Sequence, residues 1–215
     1  VLPCVENVVL LSKSYDLAGR NSHPDRTVVN VGGVSIGGRT LALIAGPGTV
    51  ESRDQIVALA PALREGGANL LAGGSMRPGQ SPYAFRGLGE EGLQHLAHAA
   101  TAAGLKVLAE VASPGDVEEV ATHADALEVG PFNMSNFNLL EAVAAAGKPV
   151  LLRRGLAATI DEWLLSAEHI LYAGNDQVIL CESGIRTFDS ATPTTIDLSA
   201  IPTVQQRSHL PIVVD

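Results

Sequence analysis

KVLAEVASPGDVEEVATHADALEVGPFNMSNFNLLEAVAAAGKPVLL, residues 106–152, contains the repeating pattern from which the architecture follows. Three short apolar runs in it alternate with two longer segments, rich in Ala, Val and Leu, that have helical spacing. The short runs are nearly continuous in apolar residues, as strands buried on both faces of a parallel sheet are. The stretch therefore predicts a strand, helix, strand, helix and strand in succession.

The same alternation continues on both sides of this stretch. The strand candidates are residues 41–45, 69–72, 106–111, 126–129, 149–152, 177–181 and 211–215. The helix candidates, several of which begin at a Ser, Thr, Asp or Asn and end at a glycine, are residues 51–65, 89–103, 116–123, 136–146 and 159–173. Seven such repeats predict an α/β fold, a (β/α)8 TIM barrel. The alternative, an open doubly wound sheet, is less favoured because no glycine-rich GxGxxG turn follows the first strand.

The repeats divide the chain into two predicted parts. Residues 38–215 are expected to form the barrel domain, with about seven of its eight units, and the missing unit is expected either after Asp215 or in a part not included. Residues 1–37 are expected to be an N-terminal segment and linker, with a strand at 5–11, interpreted as the remnant of a small regulatory-like domain.

The composition excludes several classes of protein. Of the 215 residues 46% are hydrophobic, and 23 Asp and Glu against 14 Lys and Arg give a net charge of -9. This composition argues against a disordered chain and against a nucleic-acid-binding surface, and no apolar window is long enough for a membrane span. Two cysteines, Cys4 and Cys181, are too few for a disulfide scaffold, and Cys181 reads as a buried core thiol. With no targeting segment recognised, we expect a cytoplasmic protein.

Ordered Gly- and Pro-rich stretches carry more specific information. They are IAGPGTVES (44–52), GGSMRPGQSPY (73–83), FRGLGEEGL (85–93), NMSNF (133–137), LLRRGL (151–156), ILCESGIRTF (179–188) and SHLP (208–211). In this order they resemble the 3-deoxy-D-arabino-heptulosonate-7-phosphate (DAHP) synthases, and the type I beta branch most of all. The resemblance extends from about Val5 to Asp215.

The resemblance implies a barrel that condenses phosphoenolpyruvate with erythrose 4-phosphate in the shikimate pathway of aromatic amino acid biosynthesis. The related 3-deoxy-manno-octulosonate 8-phosphate synthases use arabinose 5-phosphate instead. Both chemistries need basic side chains that hold phosphate and carboxylate groups, and a divalent metal that polarises the aldehyde. A divalent metal cofactor, a small anionic substrate and association into a homo-oligomer or with a related synthase are thus expected from the family, with no nucleic acid or membrane partner.

The resemblance also indicates candidate site residues at the ends of the strands. Arg77 and Glu110 are the catalytic candidates, and the substrate-binding candidates are Arg77, Pro78, Ser81, Asn133, Arg153, Glu182 and Arg186. Two interpretations stay open for some of them. Glu110 and Glu182 are either general acids or bases or buried carboxylates paired with arginine. Arg154 and Arg186 are either anion binders or structural ion-pair partners.

The sequence departs from the family pattern where charge would touch substrate. Gly48 stands where the family has its first metal ligand, a cysteine, and the other three ligands would lie beyond Asp215, so none is present in this sequence. Four family arginines are replaced, by Ala72, Gly79, Phe132 and Ser183, a family threonine by Gln80, and two family lysines by Arg77 and Arg153. At about 1.5–3 kcal/mol per charge-assisted contact, four lost arginines remove on the order of 6 kcal/mol of binding energy.

Two functional hypotheses follow from these departures. The first is a divergent carbon–carbon bond-forming, aldol-type enzyme that acts on phosphoenolpyruvate or a related anion and an aldose phosphate, with Arg77 and Arg153 as anion anchors. The second is a catalytically silent paralogue of DAHP synthase that serves as a binding or assembly partner. In both, the residues that shape the loops are kept while the charged groups are replaced.

Overall fold

The computed structural model describes residues 15–75, 83 and 85–215. The predicted strand at 5–11, Cys4, and the site candidates Arg77, Pro78 and Ser81 lie outside the described residues. Within the described part of the chain, no helix is long and apolar enough to cross a membrane.

Seven parallel strands form one sheet in the order of the chain. The strands of the described chain are β1 (Val29–Val31), β2 (Val34–Ile36), β3 (Ile44–Ala45), β4 (Leu70–Gly73), β5 (Lys106–Val111), β6 (Ala126–Val129), β7 (Val150–Arg153), β8 (Val178–Glu182) and β9 (Ile212–Val214). Strands β3 to β9 pair in parallel, each with the next, and β1 pairs antiparallel with β2. Because the strands pair strictly in chain order, without the reversal of a doubly wound sheet, and a helix lies in every connection, this is the (β/α)8 barrel architecture with seven strands in the described chain, which confirms the predicted fold class.

A helix follows each of the first six strands of this sheet. The helices are α1 (Arg53–Glu65), α2 (Glu90–Ala103), α3 (Val117–His123), α4 (Phe137–Ala145), α5 (Ile160–Tyr172) and α6 (Ala200–Arg207). The first five agree with the sequence prediction to within two residues at each end, because their caps are local. Thr159 and Glu162, for example, form a capping box at the start of α5. Helix α6 was not predicted, since Pro202 and a polar sequence obscure its pattern.

Two groups of buried apolar side chains hold the sheet from its two sides. The larger group lies between the strands and the helices and includes Trp163, whose Nε1 donates to the Leu152 carbonyl at 3.1 Å. The smaller group fills the interior that the strands enclose, and its members are Val29, Val31, Ile36, Leu70, Leu108, Ala126, Leu151, Ile179 and Cys181. Neighbouring strand residues face opposite sides, which is why the strands of the seven-stranded sheet contribute to both groups.

The β1–β2 hairpin closes the amino end of this interior. Its turn residues Gly32 and Gly33 have φ values of +56° and +100°, which suit a two-residue hairpin turn. A Cβ on Gly32 would lie 2.7 Å from Lys106 Cδ, at the first residue of β5. The hairpin was missed in the sequence, although VNVGGVSI carries the glycine-pair signal for it.

The segment before the hairpin is hydrogen-bonded to α5 and to His209, which precedes β9. The backbone N–H groups of Asp16, Leu17 and Ala18 all donate to the Glu168 carboxylate, at 2.7–2.9 Å. His209 Nε2 donates to the Leu17 carbonyl at 2.8 Å. Since a neutral imidazole then accepts at Nδ1, that atom accepts from the Thr27 hydroxyl at 2.6 Å.

Candidate functional site at the carboxyl ends of the strands

A cavity of about 1050 Å³ runs along the edge strands β3 and β9, from the residues before them, at 41–43 and 208–211, to the carboxyl ends of the strands. Its wall includes both edge strands of the sheet, β3 and β9, and the loop at Gly46–Gly48 that follows β3. The charged or polar strand-end residues in its wall are Glu110, Glu128, Arg153, Cys181, Ser183 and Asp215. Arg26 and Arg39 contribute to the wall from the segments that flank the hairpin. The carboxyl ends of the strands are where barrels of this architecture place their active sites.

The polar residues of the cavity form a layer directly above the apolar interior. Leu108, Ala126, Leu151 and Ile179 belong to the interior group, and the residues two positions later are Glu110, Glu128, Arg153 and Cys181. Alternate strand residues share a face, so these side chains also point inward. Register brings them together in pairs, Glu110 beside Glu128 and Arg153 beside Cys181.

Arg153 is held by two carboxylates. Its Nε donates to Glu128 Oε1 at 2.5 Å, and its Nη1 donates to Asp215 Oδ2. The side chains of Glu128 and Arg153 are 9% and 20% exposed, whereas that of Asp215 is 63% exposed. Burial acts to lower the pKa of Arg153, but attraction to Glu128 and the hydrogen bonds to Glu128 and Asp215 outweigh it, so the pKa is raised. The guanidinium therefore stays protonated and forms ion pairs with two carboxylates of the chain itself.

Cys181 lies on β8 next to Arg153 and is buried and free of any disulfide. Burial is the main cause that raises the pKa of its thiol to about 12. Arg153 opposes this shift, and Glu128, Asp215 and Glu182 add to it. The thiol is therefore neutral at physiological pH, which agrees with its prediction as a core residue.

Glu182 is paired with Arg154 inside the protein. Arg154 Nη1 donates to Glu182 Oε2 at 2.8 Å and to Asp197 Oδ2 at 3.2 Å, and Gly184 N donates to Glu182 Oε1 at 2.9 Å. Neither Glu182 nor Arg154 belongs to the described wall of the cavity. The arrangement ties the ends of β7 and β8 to the loop before α6. This favours the ion-pair interpretation for both residues.

The remaining described candidates lie at different places on the rim. Glu110 lines the cavity, and its Oε1 would be 2.6 Å from a Cβ on Gly130, so the glycine makes room for the carboxylate. Asn133 donates to the Ala112 carbonyl at 3.3 Å and accepts from Asn136 at 3.2 Å. Arg186 has an exposed side chain, and its N–H donates to the Leu156 carbonyl at 2.7 Å. The structure thus brings Glu110 and Arg153 to one cavity, and places Asn133 and Arg186 in the loops beside it.

The described residues do not provide a set of donors for the divalent metal that the family implies. No three His, Cys, Asp or Glu side chains among these residues are placed to hold a metal ion. Gly48 lies in the cavity wall where the resemblance expects a cysteine ligand, and it has no donor side chain. We therefore assign no step through a metal to these residues.

Two cavity residues, Glu128 and Asp215, were not among the site candidates from the sequence. The signal for Glu128 is a single carboxylate inside an otherwise apolar strand, ALEV, at the position whose alternation faces the interior. For Asp215 the only signal is its position directly after an apolar strand. Their partner, Arg153, is far away in sequence in both cases.

Comparison with known proteins identifies the family. The sequence profile described as the DAHP synthetase I family matches residues 20–215. The chain is 47% identical over 214 residues to phospho-2-dehydro-3-deoxyheptonate aldolase of Thermotoga maritima, covering 100% of this chain and 63% of that protein. It is 31% identical over 196 residues to 2-dehydro-3-deoxyphosphooctonate aldolase of Nitrobacter hamburgensis, covering 87% of this chain and 68% of that protein. The chain thus spans less than two thirds of the length of the Thermotoga relative.

Solved structures show the same fold. The crystal structure of phospho-2-dehydro-3-deoxyheptonate aldolase (DAHP synthase) from Thermotoga maritima superposes with a TM-score of 0.90 at 46% identity, covering 100% of this chain and 62% of that one. A truncated form of 3-deoxy-D-arabino-heptulosonate 7-phosphate synthase from the same organism gives a TM-score of 0.87 at 45% identity, covering 94% and 74%. By sequence and by structure alike, this chain belongs to the DAHP synthetase I family.

Proposed function

We propose that this barrel does not by itself carry out the metal-dependent condensation of phosphoenolpyruvate with an aldose phosphate, and that it acts as a binding or assembly partner of a related synthase. A cytoplasmic location and a role in aromatic amino acid biosynthesis are parts of the same proposal. Membership of the family supports the barrel fold and a related synthase as the partner. The side chains of the cavity argue against the ordinary reaction.

The observation that carries the proposal is the pairing of Arg153. Phosphoenolpyruvate bears a phosphate and a carboxylate, which need cationic donors with free N–H groups. Arg153 and Arg154 end or directly follow β7, and both are bonded to two carboxylates of the chain. The charge of each guanidinium is therefore already balanced by carboxylates of the chain, which weakens its attraction for an anionic substrate.

Three positions of the cavity wall at which the family has a charged or metal-binding side chain support the same conclusion. Ala72, Ser183 and Gly48 all line the cavity. The family has arginine at the first two of these positions and a cysteine metal ligand at the third, as the resemblance implies. None of the three side chains present carries charge. The polar layer of strand side chains accordingly has more carboxylates than guanidinium groups.

The assembly part of the proposal comes from the family, whose barrels commonly associate. Phe132, after β6, and Phe188, after β8, are exposed aromatic side chains that a partner could cover.

The deciding experiment uses the full-length protein. Phosphate release is measured with phosphoenolpyruvate and either erythrose 4-phosphate or arabinose 5-phosphate, with and without Mn²⁺, and the Thermotoga maritima synthase serves as positive control. We expect no turnover by this protein alone. In a second arm it is mixed with a DAHP synthase of its own organism, and we expect a mixed assembly in light scattering. Turnover comparable to that of the control would disprove the proposal.

A second candidate function, a divergent carbon–carbon bond-forming enzyme, is favoured by one observation. Glu110 and Arg153 both face the cavity at the carboxyl ends of the strands. A carboxylate and a guanidinium in one cavity are able to move a proton and orient an anion. Slow phosphate release with an aldose phosphate other than the two above would favour this candidate over the first.

A further inference from the structure

Residues 15–27, here called the strap, are hydrogen-bonded both to α5 and to the residues that precede β9. On the α5 side, the backbone N–H groups of residues 16–18 donate to the Glu168 carboxylate at 2.7–2.9 Å. On the β9 side, the Thr27 N–H donates to the His209 carbonyl at 2.9 Å. The strap connects the preceding part of the chain to the barrel, so these bonds decide how firmly that part is attached.

The buried side chain of His209 bonds the strap at two separate points. Its Nε2 lies 2.8 Å from the Leu17 carbonyl oxygen, and its Nδ1 lies 2.6 Å from the Thr27 hydroxyl. A carbonyl oxygen only accepts, so the proton of the neutral ring is on Nε2 and Nδ1 accepts from the hydroxyl. The imidazolium carries a proton on both nitrogens and is unable to accept. The bond to Thr27 in this form therefore exists only while the ring is neutral.

Several charged groups face the His209 ring. His23, on the strap, lies beside it with the ring centroids 4.3 Å apart, and its Nδ1 donates to the Asp25 carbonyl at 2.7 Å. Burial is the main cause that lowers the pKa of His209 below 6.5; His23 and Arg20 add to this shift, and Glu168 opposes it. A proton on His209 is thus disfavoured while the strap is in place. Further charged groups on the packed elements are Arg26 and Asp176, which line a recess together with His209, and Arg207, which is paired with Asp161.

We propose that His209 is a pH-sensitive latch, whose neutral imidazole fastens the strap to the barrel and whose imidazolium loosens it. Loosening begins at Thr27, because the hydroxyl has to turn its proton away from the charged ring. Repulsion from Arg20 acts in the same direction. The latch lies before β9, whereas Glu110 and Arg153 lie at the carboxyl ends of their strands, so this inference does not depend on the proposed function.

The first test uses the unmodified full-length protein. Amide hydrogen exchange is followed at Ala18 and Thr27 as the pH is lowered through 6.5, with correction for the intrinsic exchange rate at each pH. The pH stays above about 5, where carboxylates remain ionised. We expect the protection of both amides to fall about tenfold, as the loss of one hydrogen bond of ordinary strength would cause, while the amides of β5 stay protected. Protection of the strap that is independent of pH overturns the proposal.

Two variants without a titrating ring test whether His209 is the sensor. In His209→Gln the amide N–H is placed to keep the bond to Leu17, and in His209→Asn the amide oxygen is placed to accept from Thr27. We expect the protection of the strap to be independent of pH in both variants. His98→Gln, on an exposed position of α2, is the control and should keep the full dependence. Full pH dependence in a folded His209 variant overturns the proposal, because another group is then the sensor.

Arg20→Gln tests the coupling between the charge of the ring and the strap, and it leaves His209 itself unchanged. The Arg20 Nε is buried and has no hydrogen-bond partner among the described residues, so the change breaks no bond of that atom. Arg20 lowers the pKa of His209, so its removal should move the titration of the ring, followed by proton NMR, to higher pH. The loss of strap protection should move by the same amount. A titration that moves without the loss of protection overturns the proposal.

Discussion

Arg154 Nη1 lies 2.8 Å from Glu182 Oε2 in a buried ion pair, where the ends of β7 and β8 meet the loop before α6. Their side chains are almost fully enclosed, and Asp197 and the Gly184 N–H complete the bonds. The pair therefore fixes the two strand ends on which the neighbouring cavity residues Arg153 and Ser183 lie.

Replacing Glu182 by Ala should destabilise the protein strongly. The change leaves the Arg154 guanidinium buried without its main partner, which costs about 3–5 kcal/mol. Urea unfolding of the full-length variant measures the loss in the free energy of unfolding. The control is Asp161→Ala, whose partner Arg207 is at the surface, where such a pair is worth about 0–1 kcal/mol. Equal losses in the two variants would contradict the structural role of the buried pair.

Gly46→Ala should disturb the contact between β3 and β4. A Cβ at this position would lie 1.8 Å from the Ala72 carbonyl oxygen, a backbone atom that cannot rotate away. We expect a loss of about 1–3 kcal/mol in the free energy of unfolding, as for other overpacked sites. The control, Gly115→Ala, meets only Ser113 Oγ at 3.8 Å and should be nearly neutral. The thermal melting curves of the two variants provide the comparison, and a neutral Gly46→Ala would refute the close approach.

The capping box of α5 predicts a dependence of stability on acidic pH. The backbone N–H and the hydroxyl of Thr159 both donate to Glu162 and lower its pKa from the ordinary value of 4.5. Because the folded pKa is lowered, the stabilisation is fully present above this ordinary value and is lost as the pH falls through the lowered one. The difference in melting temperature between the protein and its Glu162→Gln variant should therefore shrink as the pH falls below 4.5. A constant difference would speak against the charged cap.

His209 predicts a second pH dependence, closer to neutrality. Burial is the main cause that lowers the pKa of His209 from the ordinary value of 6.5. The charges of His23 and Arg20 lower this pKa further, and the hydrogen bond to the Leu17 carbonyl partly opposes the shift. The folded state thus binds the proton less well than the unfolded state, so stability should fall as the pH drops below 6.5. Melting temperatures measured across this range should fall less steeply for His209→Gln. If both proteins show the same slope, another group causes the effect.

Much of the fold followed from short-range patterns in the chain. The apolar run of β5 and the Thr159 and Glu162 cap of α5 are contained in a few neighbouring residues, so the sequence predicts them. Helix α6 and the β1–β2 hairpin were missed for different reasons. Pro202 interrupts the pattern of the helix, while the glycine pair at 32–33 is a hairpin signal that lies outside the repeat of strands and helices.

The amino-acid order alone implied a parallel βα barrel and its family, because strand and helix periodicity, caps and motifs are properties of neighbouring residues. It did not imply which charges cancel. Arg153 and Arg154 are adjacent in the chain, yet alternation along the strand end turns Arg153 toward the cavity and Arg154 away from it, toward Glu182 and Asp197. Glu128 and Asp215 reach Arg153 across 25 and 62 residues, and they meet it because parallel pairing gathers the carboxyl ends of distant strands at one rim.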